Sequence, residues 1–222
     1  MDVQAEKKSC AAAPDFTQNF SEPTQHNPDY SLWYTNDKNK IPLPTDTELL
    51  KRMGYADSLY AWLLLRAGYA SELGYYIPKG NFTYAEISLD LGLSRPTVTT
   101  RLKFLTSLGL LSEEQYGGIK IFKFAPIEQV ELFDKWIINA LLKNVSIHNR
   151  IIQIYIYLCT CAQDFSGELY TSATKILKGL GYSTSPNDCC KRVADTLKAI
   201  EELGLFKVEY IRGKTHIYDM LH

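Results

Sequence analysis

The sequence predicts a mainly α fold carrying small β-hairpins, an α+β chain built as two similar units in tandem and joined by a linker helix. Three observations lead there. A segment recurs within the chain, helix-start and helix-stop residues fall alike in both copies, and the apolar spacing changes from helical to alternating after a glycine in each copy. The repeat is the most direct of these. Residues 101–110, RLKFLTSLGL, match residues 196–205, TLKAIEELGL, at a constant offset of 95, and the register continues ungapped to Phe122 and Ile217. Upstream, residues 87–92, ISLDLG, match residues 176–181, ILKGLG, at offset 89.

Each copy is then justified in chain order. An apolar-rich helix is expected over 57–73, and its counterpart over 146–162 starts behind Ser146 as N-cap. Short extended stretches follow at Tyr76–Ile77 and Leu169–Tyr170. A compact helix comes next over 84–91, where Thr83 and Glu86 have the spacing of a capping box, and its equivalent spans 172–180. Gly92 and Gly181 stand where a left-handed cap is needed. Helices over 95–108 behind Ser94, and over 186–203 behind Ser185 with Pro186 at the first helical position, follow the turns and end at Gly109 and Gly204. Alternating runs 110–116 and 119–124 flank Gly117-Gly118, and runs 205–211 and 214–218 flank Arg212-Gly213. Both are hairpin signals.

The expected organisation is a flexible N-terminal tail over 1–45, a first domain over 46–125, a linker helix over 126–145 and a second domain over 146–222. The tail carries five of the nine prolines among Asn, Asp, Ser and Thr, with one apolar cluster, Tyr30, Leu32, Trp33 and Tyr34, expected to dock on the folded body or on a second subunit. The linker keeps Ile127, Val130, Phe133 and Ile137 at helical spacing. Its Trp136, Ile138 and Leu142, and Ile151 to Leu158 of the next helix, are apolar nearly all round, so those helices need cover from the sister unit or from another chain. On that ground a homodimer is expected.

Composition bounds the function. Of 222 residues, 45% are hydrophobic and 22% charged, the profile of a globular protein, and the formal charge of −1 gives no global attraction to nucleic acid. Over 1–60 six Lys or Arg face nine Asp or Glu, which leaves the remainder net +2. Residues 1–13 are charged and small where a secretory signal needs an apolar run, and a cytoplasmic location is expected. Five cysteines, an odd number without a Cys-x-x-Cys spacing, read as small buried hydrophobes in a reducing compartment. The scattered His26, His148, His216 and His222 have no metal-ligand spacing, and no phosphate-cradling Gly motif is present, so no enzyme activity, cofactor or metal is expected.

The order helix, strand, helix, turn, helix, hairpin is that of a winged helix-turn-helix. Residues 82–111, FTYAEISLDLGLSRPTVTTRLKFLTSLGLL, resemble the helix-turn-helix core of bacterial winged-helix proteins, with Ser88 at the helix crossing, Gly92 and Ser94 bracketing the turn, and Val98, Leu102, Leu105 and Leu108 as core stripe. Together with Ile41-Pro-Leu-Pro44 and residues 60–66, YAWLLLR, the chain is also similar to plasmid and phage replication initiators of Gram-positive type.

That resemblance implies a non-enzymatic double-stranded DNA binder, a replication initiator or transcriptional regulator, reading the major groove with helix 95–108 and touching the backbone through the wings. Inward Val98, Leu102, Leu105 and Leu108 put Pro96, Thr99, Thr100, Lys103 and Ser107 outward. The expected DNA-contacting residues of the first unit are Ser94, Arg95, Thr97, Thr99, Thr100, Arg101 and Lys103, with Lys120 on its wing. In the second unit they are Asn187, Lys191, Arg192 and Lys198, with Arg212 and Lys214 on a basic wing that also holds His216. Asp195 and Glu202 dilute the charge of that second helix. The alternative is a protein-interaction scaffold with little affinity for DNA, which the near-neutral charge favours.

Overall fold

The computed structural model describes residues 29–35, 37–145, 150–163, 168–184, 189–211 and 214–219. In chain order the elements are β1 (Lys40–Pro44), α1 (Thr47–Met53), a 3-10 turn (Gly54–Ala56), α2 (Asp57–Leu65), β2 (Gly68–Ala70), β3 (Gly74–Pro78), a second 3-10 turn (Lys79–Asn81), α3 (Tyr84–Leu91), α4 (Arg95–Ser107), β4 (Leu111–Tyr116) and β5 (Ile119–Phe124). There follow β6 (Val130–Asp134), α5 (Lys135–Leu142), α6 (Ile151–Gln163), β7 (Glu168–Thr171), α7 (Ala173–Gly179), α8 (Cys189–Glu202), β8 (Phe206–Ile211) and β9 (Lys214–Asp219).

The expectation of a mainly α chain is overturned. Among the described residues nine strands form three antiparallel sheets, ordered β1-β6, β2-β3-β5-β4 and β7-β9-β8, so the fold is α+β rather than mainly α. Two of the three departures lie in segments read as tail and linker. β1 carries Pro42 and Pro44, and pairs with β6 in the register Lys40↔Asp134 to Pro44↔Val130. Thr45 donates its amide to Gln129, so odd-numbered residues face β6 and the two prolines point their missing donors away from it. Tail and linker therefore hold each other, and the helix expected over 126–145 shrinks to α5. The three-residue apolar spacing there is met by a strand buried at Val130 and Phe133 rather than by a helix face.

The third departure is β2–β3. The helix expected over 57–73 ends at Leu65, and residues 68–78 turn back as a tyrosine-rich hairpin. Gly74 at its turn has φ 73°, and a Cβ there would stand 3.5 Å from the Tyr34 ring and 3.7 Å from Trp33 Nε1. The aromatic cluster of the tail thus docks on this hairpin. Trp33 is fully buried edge-on to Tyr75, whose hydroxyl donates to the Thr35 carbonyl at 2.8 Å, while Tyr69 donates to the Tyr34 carbonyl. Ser146 and residues 185–188, expected at helix starts, lie outside the described residues.

The order α, β, α, α, β, β occurs twice, as α2-β3-α3-α4-β4-β5 and α6-β7-α7-α8-β8-β9, and in both sheets the first strand pairs with the last. The two leading helices, α2 and α6, touch at the centre of one apolar core that runs through both units. Asp57 through Leu64 are all buried, as are Ile151, Ile152, Ile154, Tyr155, Ile156 and Leu158. Each such Leu or Ile contributes about 1.5–3 kcal/mol relative to an exposed one. The apolar area that motivated a dimer is therefore covered within a single chain. Ile137, Ile138, Leu141 and Leu142 of α5 are buried too, and only Trp136 of that set stays exposed.

A buried polar residue crosses the junction. Gln153 of α6, wholly buried, donates to the carbonyls of Leu50 at 2.7 Å and Gly54 at 2.9 Å at the end of α1, and accepts from the Tyr182 hydroxyl. The Leu50 carbonyl also accepts the C-cap amide of Gly54, so Gln153 ties both to the end of α1. Gln153→Leu leaves the Tyr182 hydroxyl without its acceptor and takes one donor from the Gly54 carbonyl, and at about 1–3 kcal/mol for an orphaned buried group it should lower stability by about 1–3 kcal/mol in urea unfolding. A loss below about 0.5 kcal/mol, the scale of an ordinary surface change, would contradict this role.

Candidate nucleic-acid interface

The pair α3–α4 is held by local chemistry that the sequence states openly. Thr83 and Glu86 close a reciprocal capping box, with the Thr83 amide donating to Glu86 at 2.6 Å and the Glu86 amide to Thr83 Oγ1 at 3.2 Å. Gly92 ends α3 with φ 62°, and the Leu93 amide returns to the Ser88 carbonyl. Ser94 then caps α4, accepting from the Thr97 amide, and Val98, Leu102 and Leu105 fix the helix on the core.

This anchoring decides which expected site residues face outward. Arg95, Pro96, Thr100, Lys103 and Ser107 are exposed, and so is Phe104, an apolar residue outside the expected core stripe. Thr100 has no hydroxyl partner among the described residues. The hydroxyls of Ser94 and Thr97 lie 2.7 Å apart and serve the cap, while Thr99 is half-buried and donates to the Arg95 carbonyl at 3.1 Å. Those three are less available to a ligand than their outward spacing implied. Arg101 turns to the flank. It is half-buried, with its guanidinium 6.0 Å from the Tyr55 ring centre, and burial lowers its pKa against the opposing charge of Asp57.

On the first hairpin Lys120 is exposed opposite Gln115, and Gly117 and Gly118, both at positive φ, close the two-residue turn. The acids nearby are engaged. Glu86 is in its capping box, and Asp90 accepts from Trp62 Nε1 and Arg66, each at 2.8 Å. Glu113 pairs with Lys79 at 2.5 Å and Glu114 with Lys123 at 3.6 Å. Among the described residues Arg95, Lys103 and Lys120 have no such partner, so the α4 face and the hairpin carry uncompensated positive charge.

The second unit differs. Lys191 and Arg192 are exposed on α8, Asp195 stands among them, and Lys198 is 3.8 Å from Glu202 with both well exposed, a pair of little energetic weight. Lys214 is exposed at the start of β9. Asn187 and Arg212 lie outside the described residues. His216 does not belong to a basic wing surface. It is buried, stacked on Tyr170 and tilted against Tyr218, with ring centres 3.8 Å apart in both pairs. The turn after α7 is also occupied. A Cβ on Gly181 would meet Lys51 at 2.8 Å, and Tyr182 lies under the Arg150 guanidinium at 3.6 Å. The matching turn of the first unit, Gly92 to Ser94, remains largely open to solvent.

No family model, no curated protein and no solved structure matches this chain. Its reading rests on its own residues. Among the described residues no helix is long and apolar enough to cross a membrane, and no group of three His, Cys, Asp or Glu is placed to hold a metal ion.

Behind Arg101 sits Asp57, fully buried, with Ser58 Oγ 3.2 Å from one carboxylate oxygen and the other oxygen unpartnered. Burial pushes its pKa up to about 7, against the bonds from Ser58 and the charge of Arg101. Because the folded value lies above the ordinary carboxylate value near 3.9, protonated Asp57 favours the folded state. Its contribution is full below about pH 4, is lost as pH rises from about 4 to 7, and is gone above that, a swing on the order of 4 kcal/mol. Wild-type stability should fall over that window relative to Asp57→Asn, which has nothing to titrate. Urea midpoints that run parallel in the two proteins from pH 4.5 to 8 would refute the raised carboxyl.

Proposed function

We propose that the chain is a non-enzymatic, intracellular double-stranded DNA-binding protein that lays α4 in the major groove and touches the flanking backbone through the β4–β5 hairpin. The observation that carries this reading is the charge pattern of the first unit. Each carboxylate of α3 and β4 is engaged by a cap or a cation, whereas Arg95, Lys103 and Lys120 stand free on the exposed side. A net charge of −1 then coexists with a locally cationic helix, which is what an anionic polymer requires. The likeness of residues 82–111 to helix-turn-helix cores supports the same placement, as does the short, mixed polar outer face of α4.

The first unit is the reader in this proposal. The second has the corner after α7 against Lys51 and the Tyr55 ring, and serves as the support that fixes the first. A replication initiator or a transcriptional regulator fits equally. A protein-interaction scaffold is the second reading, favoured by the exposed apolar side chains Leu89 and Trp136.

Fluorescence anisotropy with random-sequence duplexes at several salt concentrations tests the proposal. Binding should weaken steeply with salt. Lys103→Gln and Lys120→Gln should each weaken all duplexes alike and reduce the slope of log K against log salt by about 1, the loss of one phosphate contact. Thr100→Ala should instead change which sequences a selection experiment returns. Absence of salt-dependent binding at about 50 mM salt, where non-specific contacts are already strong, would leave the scaffold reading in its place.

A further inference from the structure

Beside the exposed face of α4 lies a cleft of about 560 Å³, between that helix and the Gly54–Ala56 turn. We propose that it is an effector site for a small planar apolar anion, such as an aromatic carboxylate, and that its occupant competes with duplex DNA. The site stands on its own geometry, and only the competition rests on the DNA-binding reading above.

The volume is that of a small-molecule site, which is mostly apolar with a few convergent polar groups. Buried Met53 and the part-exposed Tyr55 and Phe104 rings supply the apolar part of the lining. Arg52 and Arg101 supply the charge. Arg52 is exposed and has no ion pair among the described residues, and Arg101 presents its guanidinium from the α4 side. No carboxylate lines the cleft. Asp57, the acid behind Arg101, is held protonated up to about pH 7, so near neutrality it cancels only part of that arginine's charge. Two guanidinium groups around an apolar slot match a ligand with one carboxylate and an aromatic body, because the charge-assisted hydrogen bonds are directional and the rings remove apolar area from water. A phosphodiester strand fits less well, since its charges repeat along its length and the apolar walls would strip water from them without pairing.

Thr100 and Arg101 belong both to this cleft and to the helix proposed to enter the groove. A bound anion would neutralise cations at the flank of α4 and add bulk against it. Both effects oppose approach to phosphate.

The probe is 4-benzoylbenzoate on the full chain, whose benzophenone cross-links to nearby C–H bonds under near-ultraviolet light. Adducts should map to residues 49–56 or 96–104, and should saturate with concentration. Neutral benzophenone should bind at least about tenfold more weakly, the 1.4 kcal/mol scale of one charge-assisted contact. Arg52→Gln and Phe104→Ser truncate solvent-facing side chains, and each should weaken binding at least about fivefold with an unchanged melting curve. Scattered adducts, or equal uptake of the neutral compound, overturn the site even if a variant fails to fold. A saturable, localised adduct that duplex DNA does not displace retains the site and overturns its coupling to DNA. Absence of duplex binding in the anisotropy experiment is the separate mark of failure for the DNA reading.

Discussion

The constraint on which the rest depends is the contact of α2 with α6. Both helices are apolar on nearly every side, and neither can be covered by its own small unit. Setting one against the other solves both problems at once and merges the two repeats into a single core. Apolar contact alone leaves rotation and register loosely specified, and Gln153 supplies the missing direction. Its amide spans two carbonyls at the end of α1, while its oxygen receives Tyr182 from the far side of the second unit. A fully satisfied polar group in a core costs little and excludes alternative registers, whereas a half-satisfied one would be worse than a leucine.

The interface inherits its geometry from that junction. Arg150 of the second unit donates to the Tyr55 hydroxyl at 2.6 Å and covers Tyr182, and Tyr55 in turn lies between Arg150 and Arg101. A chain of contacts therefore runs from α6 through the Gly54–Ala56 turn to the flank of α4. It keeps Arg101 off the outer face, and leaves Arg95, Thr100, Lys103 and Phe104 as the groups that α4 presents. What the helix can touch is decided as much by the neighbouring unit as by its own periodicity.

Local signals were legible in the sequence because they are completed within a few residues. The Thr83–Glu86 box, the Ser94 cap, the left-handed Gly92 and the Gly117-Gly118 turn all form as their spacing predicts. The offsets of 89 and 95 also led to two copies of one element order. Features completed by distant residues were not legible. Pro42 and Pro44 suggested an unstructured tail, since nothing local reveals that both point away from a partner ninety residues on. Residues 57–73 hid a helix end and a hairpin because only packing against Trp33 and Tyr34 favours the turn at Gly74. His216 was placed on the wing surface by its polarity, and the flanking tyrosines that cover it reverse that placement.

The two units began from one pattern and differ at the point that matters for recognition. In the first, the corner between α3 and α4 is mostly solvent-facing and its acids are tied down. In the second, the corner after α7 is spent on Lys51, Tyr55 and Gln153, and α8 mixes Asp195 and Glu202 with its cations. A surface cannot both seal an internal junction and lie against a partner. The shift of the repeat from offset 89 to 95 falls after this junction in the sequence, where Tyr182 takes the place of Leu93 and reaches back to Gln153. The proposed division between a presenting unit and a supporting one therefore follows from where the chain used its second corner, which leaves the outer face of α4 open.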